Sequence, residues 1–183
     1  MSRINLFIDT HVWYAHLKVT SKVFADERDK KYFLGVVLQS KEENGFRVFA
    51  FSLLDDEAYF LLGMEEGKAG EAGQILRGLL HRYEEYRPKG RIRTVQDGEI
   101  NCMPVCRAEE MLDICRYIHQ RPVEKGYVKK IADYWWSSFL TYRGIYSWEF
   151  VDTRPVLWYL SDSEEKSIQI FLKLHRKADR KED

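Results

Sequence analysis

The stretch from Phe46 to Leu54 constrains the fold most, because it is apolar on both of its alternating faces. A strand of that kind must be covered above and below, so it reads as a central strand of a sheet. Asn44-Gly45 supplies the turn ahead of it, Asp55-Asp56 interrupts it, and Ala58 to Leu62 resumes as a strand that Gly63 closes. Upstream, residues 4–19 carry β-favouring segments around His11-Val-Trp13-Tyr14, a first strand or strand pair. Asp26 and Asp29 then mark a helix start, since acidic groups there accept orphan amide protons, and Phe33, Val36 and Val37 are its inward residues.

The clearest helix covers 70–87, where Ala72, Ile75, Leu76, Leu79, Leu80 and Tyr83 form one stripe before Pro88 and Gly90 stop it. A polar, hairpin-like segment through Gly98 follows. Ala108, Met111, Leu112, Cys115 and Ile118 then predict a helix over 107–119, ended before Pro122. With the first helix at 28–41, the order is β, α, β, β, α, β, α. That is close to the split βαβ order of an α+β, ferredoxin-like fold: an antiparallel sheet with helices on one face. An aromatic tract, Tyr134 to Tyr142, and a last helix capped by Asp162 and bearing Ile168, Phe171 and Leu172 form a C-terminal extension. We expect a domain over 1–150 with residues 151–183 packed on it.

Charge narrows the function. Lys+Arg and Asp+Glu both number 29, so a nucleic-acid surface has to be local. Its candidates are Arg87-Pro-Lys89-Gly-Arg91-Ile-Arg93, Lys129-Lys130 and His175-Arg-Lys177. No apolar run is long enough to span a bilayer, the start Met1-Ser-Arg-Ile-Asn5 lacks signal-peptide character, and three cysteines give no even disulfide framework. A cytoplasmic protein with reduced thiols is the expectation, with no membrane association. Neither a phosphate-binding glycine loop nor a dinucleotide fingerprint is present.

Two blocks go further. Arg116-Tyr-Ile-His119-Gln-Arg-Pro122-Val, followed by Asp133-Tyr-Trp-Trp136-Ser-Ser138-Phe and Tyr142, resembles a paired signature of REP-associated tyrosine transposases, the single-tyrosine HUH group. Val23-Phe24-Ala-Asp26-Glu-Arg-Asp29 and Phe33-Leu34 are similar to that family's first helix, and the resemblance runs from about residue 8 to 160. It implies a transposase-like domain acting on single-stranded or hairpin DNA. In the family, two histidines on one strand face hold a divalent metal, and a helix presents a nucleophilic tyrosine followed one turn later by a metal-completing amide. The histidine positions correspond here to Glu57 and Tyr59, the nucleophile to Tyr83, and the amide to Arg87. A phenol is a poor ligand at neutral pH and a guanidinium repels a metal, so the resemblance implies a degenerate site without metal-dependent cleavage. Val95-Gln-Asp97-Gly98-Glu99 stands where the family has a basic segment. Arg82, Arg116, His119 and Lys129, with exposed aromatics, are the expected DNA contacts.

Three alternatives stay open. Asp55 and Glu57 could share a strand face and hold Mg²⁺ or Mn²⁺, which would make the chain a working nicking and joining transposase. Cys102, Cys106, Cys115 and His119 could hold zinc. The fold could also serve a protein partner and no longer bind DNA. Glu57 and Tyr59 should point toward the helix of Tyr83 and Arg87, letting Glu57 pair with Arg87.

Overall fold

The computed structural model describes residues 10–19, 22–65, 71–86 and 98–176. Its elements are β1 (Thr10–Lys18), α1 (Glu27–Asn44), β2 (Arg47–Leu53), β3 (Glu57–Glu65), α2 (Ala72–Tyr86), β4 (Glu99–Val105), α3 (Ala108–Glu124), α4 (Phe139–Tyr142), α5 (Arg154–Leu160) and α6 (Glu164–Arg176). The strands form one sheet in the order β2-β3-β1-β4, every neighbouring pair antiparallel. This is the expected α+β class with ferredoxin-like order. Asp26 caps α1, its side chain accepting from the Asp29 amide at 2.8 Å, and Gly45 ends it at φ 70, a conformation glycine adopts without a Cβ clash.

β2 is an outer strand of the sheet, where the sequence placed it centrally. Its side chains are buried all the same, Phe51 against Trp148 and Phe150, and the C-terminal segment also covers its free edge. Ser138 N donates to Phe51 O at 3.0 Å, Leu53 N to Trp136 O at 2.9 Å and Asp152 N to Val48 O at 2.8 Å. An edge strand needs partners for its ladder groups, and irregular chain supplies them as well as a strand does.

The third helix departs from the expected one-face packing. Cross-strand partners share a sheet face, so Tyr14, His16, Tyr59 and Leu61 lie on one side and Leu17, Ala15 and Phe60 on the other. On the Leu17 side α2 packs: a Cβ added at Gly98 would meet Leu80 Cδ1 at 3.2 Å and Leu17 Cδ1 at 3.4 Å. On the opposite side lies α3, with Tyr117 set edge-on to Tyr14 and Tyr59. Its far side is buried against the extension, where His119 meets Phe139, Tyr142, Phe171 and His175. An apolar stripe says that a helix is covered, and leaves open which sheet face covers it. α3 also runs through Pro122 to Glu124, past the expected end at 119. In a last turn the fixed φ of proline suits the helix and only one backbone bond is lost.

Candidate functional site

The candidate site lies on the α3 face of the sheet. Strand alternation brings Glu57 and Tyr59 to that face, and Tyr117 and Arg121, one helical turn apart, look down on them from α3. The Arg121 guanidinium sits over the rings of both Tyr59 and Tyr117, 5.3 and 5.0 Å from their centroids. His16 stacks on Tyr59, centroids 4.4 Å apart. The Tyr59 hydroxyl donates to Glu57, whose second oxygen accepts from Lys125 Nζ at 3.0 Å. The added turn of α3 beyond 119 is what carries Arg121 and Lys125 into place.

The electrostatics follow from these contacts. Burial pushes the Glu57 carboxyl up, but the Tyr59 hydroxyl and Lys125 outweigh it and hold the group below its usual range. Burial, reinforced by Glu57, drives the Tyr59 phenol upward, so it stays protonated and acts as a donor. Burial lowers His16, leaving a neutral imidazole at pH 7. Tyr117 is 39% exposed. A cleft of about 480 Å³ opens beside it, lined by Met103 and Ile114 together with Arg107, Glu109, Glu110 and Asp113.

Tyr83 is not part of this site. It packs on the opposite sheet face against Phe24 and Phe33, fully buried, and its hydroxyl donates to the Val23 carbonyl at 3.2 Å. The correspondence of Tyr83 to the nucleophile position therefore fails on geometry, because Glu57 and Tyr59 face away from its helix. Arg87 lies outside the described residues, and the Glu57 carboxylate is occupied by Lys125 and Tyr59. The tyrosine-plus-four pattern that does face Glu57 and Tyr59 is Tyr117 with Arg121. It stands in the sequence inside the first family-like block, whereas the resemblance placed the nucleophile on the helix over 70–87.

No family model matches the chain, and no curated protein matches it. A solved structure of a REP-associated tyrosine transposase bound to a REP hairpin superposes with a TM-score of 0.61 at 17% identity, covering 80% of this chain and 88% of that one. The fold is similar to that of a transposase. At this identity the likeness is one of fold, and the roles of side chains rest on their own geometry.

The remaining expected residues scatter. Arg82 on α2 pairs with Glu43 of α1, and Arg116 on α3 with Asp113. Lys129 is exposed. His119 presents nothing to a ligand: it is fully buried, with Nε2 bonded to Ser138 Oγ at 2.7 Å and Nδ1 to His175 Nε2 at 3.0 Å. The residues of the alternative metal sites have other surroundings. Asp55 sits in the bend before β3 and is held by Lys30 at 2.7 Å, while Glu57 is held by Lys125 and Tyr59. Cys102 pairs with Ala15 on the α2 side of the sheet, Cys115 is buried in α3 on the other, and Cys106 is exposed. Among the described residues no group of three or more His, Cys, Asp and Glu converges on a point that could hold a metal ion. No helix among them is long and apolar enough to cross a membrane.

Proposed function

We propose that this chain is a transposase-like DNA-binding module for single-stranded or hairpin DNA in which metal-dependent strand cleavage has been lost. The observation that carries the reading is the Arg121 guanidinium over Tyr59 and Tyr117, with Lys125 on Glu57 beside it. In the family resembled, that place belongs to a divalent ion held by two histidines and an amide. Here a fixed cation and a protonated phenol fill it, and a second positive charge is repelled. Tyr117 takes the nucleophile position in place of Tyr83, beside a guanidinium and an ammonium that disfavour an ion able to polarise a phosphate. The superposition on a transposase bound to a REP hairpin supports hairpin DNA as the ligand class.

The test is an anisotropy titration of the purified chain against labelled hairpin and unstructured strands, with Mn²⁺ or with chelator. Affinity of micromolar order or weaker, unchanged by chelator and with no strand nicking, is the expected result. Metal-dependent nicking that Tyr117→Phe abolishes would overturn the inactive-site part of the reading. A second reading, a protein-interaction domain, draws on the three acids lining the cleft beside Tyr117 and on the zero net charge, which suit a basic protein surface. Absence of DNA binding at low salt would put that reading first.

A further inference from the structure

Trp135 is the large aromatic of the second family-like block that the core does not absorb. Its neighbours alternate inward: Tyr134 is buried with its hydroxyl donating to the Leu53 carbonyl at 2.7 Å, and Trp136 is buried with its carbonyl accepting from Leu53 N. This bridge to β2 forces Trp135 outward, where it remains 46% exposed. Its ring meets that of Tyr146, 36% exposed, with centroids 4.6 Å apart and planes at 49°. Tyr146 rests edge-on against Trp148 at 5.0 Å, and Trp148 in turn packs on Phe51 and Phe150 of the core. The two outer rings are thus a fixed shelf, propped from below by core aromatics. A free-standing tryptophan and tyrosine would pack together only transiently.

The charges around the shelf are also distinctive. Lys129 and Lys130 precede it by one turn of chain, and Arg143 sits at the C-terminal cap of α4, three residues before Tyr146. All three are exposed, and none pairs with an acid among the described residues, in contrast to Arg82, Arg116, Arg121 and Lys125. Asp133 and Glu149 are the acids of the same stretch. Rigid, half-exposed rings with unpaired cations close by in the chain match the chemistry of unpaired nucleobases on a phosphate backbone: stacking takes any base, and the cations take the phosphates.

We propose that the Trp135–Tyr146 shelf, with Lys129, Lys130 and Arg143, is a stacking platform for unpaired bases of single-stranded DNA. The inference rests on the DNA-binding reading and adds to it a surface distinct from the Glu57–Tyr117–Arg121 cluster. A stacked base contributes on the order of a tenfold change in affinity or more, so Trp135→Ala should weaken binding of a labelled oligothymidylate by about tenfold or more while Trp135→Phe keeps most of it. Unchanged circular dichroism and thermal midpoint, expected for an exposed ring, exclude misfolding as the cause. A blunt duplex should compete poorly. If the wild-type chain binds the oligothymidylate and Trp135→Ala with Tyr146→Ala binds it equally well, the platform is refuted while DNA binding stands. If the wild-type chain binds no strand at all, both fall. If the chain is a dimer in light scattering and Trp135→Ala makes it a monomer, the shelf is a self-association surface and the proposal fails.

Discussion

At the level of single residues, the buried imidazoles show how much a contact network fixes. The Ser138 hydroxyl donates to His119 Nε2, which leaves His119 Nδ1–H to donate to His175 Nε2, and His175 Nδ1–H to donate to the Phe171 carbonyl at 2.9 Å. Every nitrogen is satisfied with both rings neutral, so neither ring needs a second proton. Burial lowers His119 well below its ordinary value and takes His175 from 6.5 down to about 4. Between those two values the unfolded chain binds a proton that the folded chain refuses. The contribution is therefore fully present above pH 6.5 and is lost as pH falls toward 4, an amount on the order of 3 kcal/mol for His175 at about 1.4 kcal/mol per unit. Urea unfolding from pH 7 to 4 should show this decline, and His119→Phe with His175→Leu should flatten it. An equally steep decline in the double variant would assign the acid sensitivity to carboxylates.

Among the elements, the informative case is the joint between α3 and the chain that follows it. The two family-like blocks meet there. His119 of the first bonds Ser138 of the second, whose hydroxyl also accepts from Phe51 N at 2.9 Å, while Tyr142 donates to the Phe49 carbonyl at 2.7 Å. Much of the signature that carried the resemblance is thus a clamp holding α3 and the extension to β2. Ser138→Ala leaves two buried partners unmet at once, His119 Nε2 and Phe51 N–H, and should cost about 2–4 kcal/mol, whereas Tyr142→Phe removes one donor and should cost about 1 kcal/mol. Calorimetry on both variants checks the ranking. Equal losses would mean that Ser138 is not the hub of the joint.

Over the whole molecule, a chain of zero net charge can hold DNA only through a local surface, and its salt response is bounded accordingly. If Lys129, Lys130 and Arg143 are the phosphate contacts, log affinity for single strands should fall with log salt with a slope of about −2, and alanine at all three should bring it near zero. A slope far steeper would mean that paired cations such as Arg82 or Arg116 open to DNA. The same molecule shows where sequence reasoning stops. The α+β class, the ferredoxin-like element order, the Asp26 cap and the stripe of α2 were all legible, because caps and periodicity are local properties of neighbouring residues. The outer position of β2, the seat of α3 on the opposite sheet face and the fact that Tyr117, not Tyr83, shares a face with Glu57 and Tyr59 were not, because both tyrosines lie on amphipathic helices. Only the sheet pairing decides that Glu57 and Tyr59 turn toward one and away from the other. The sequence alone determined which residues bury and in what rhythm. The tertiary structure decided which buried faces meet, since an apolar stripe carries no label for its partner.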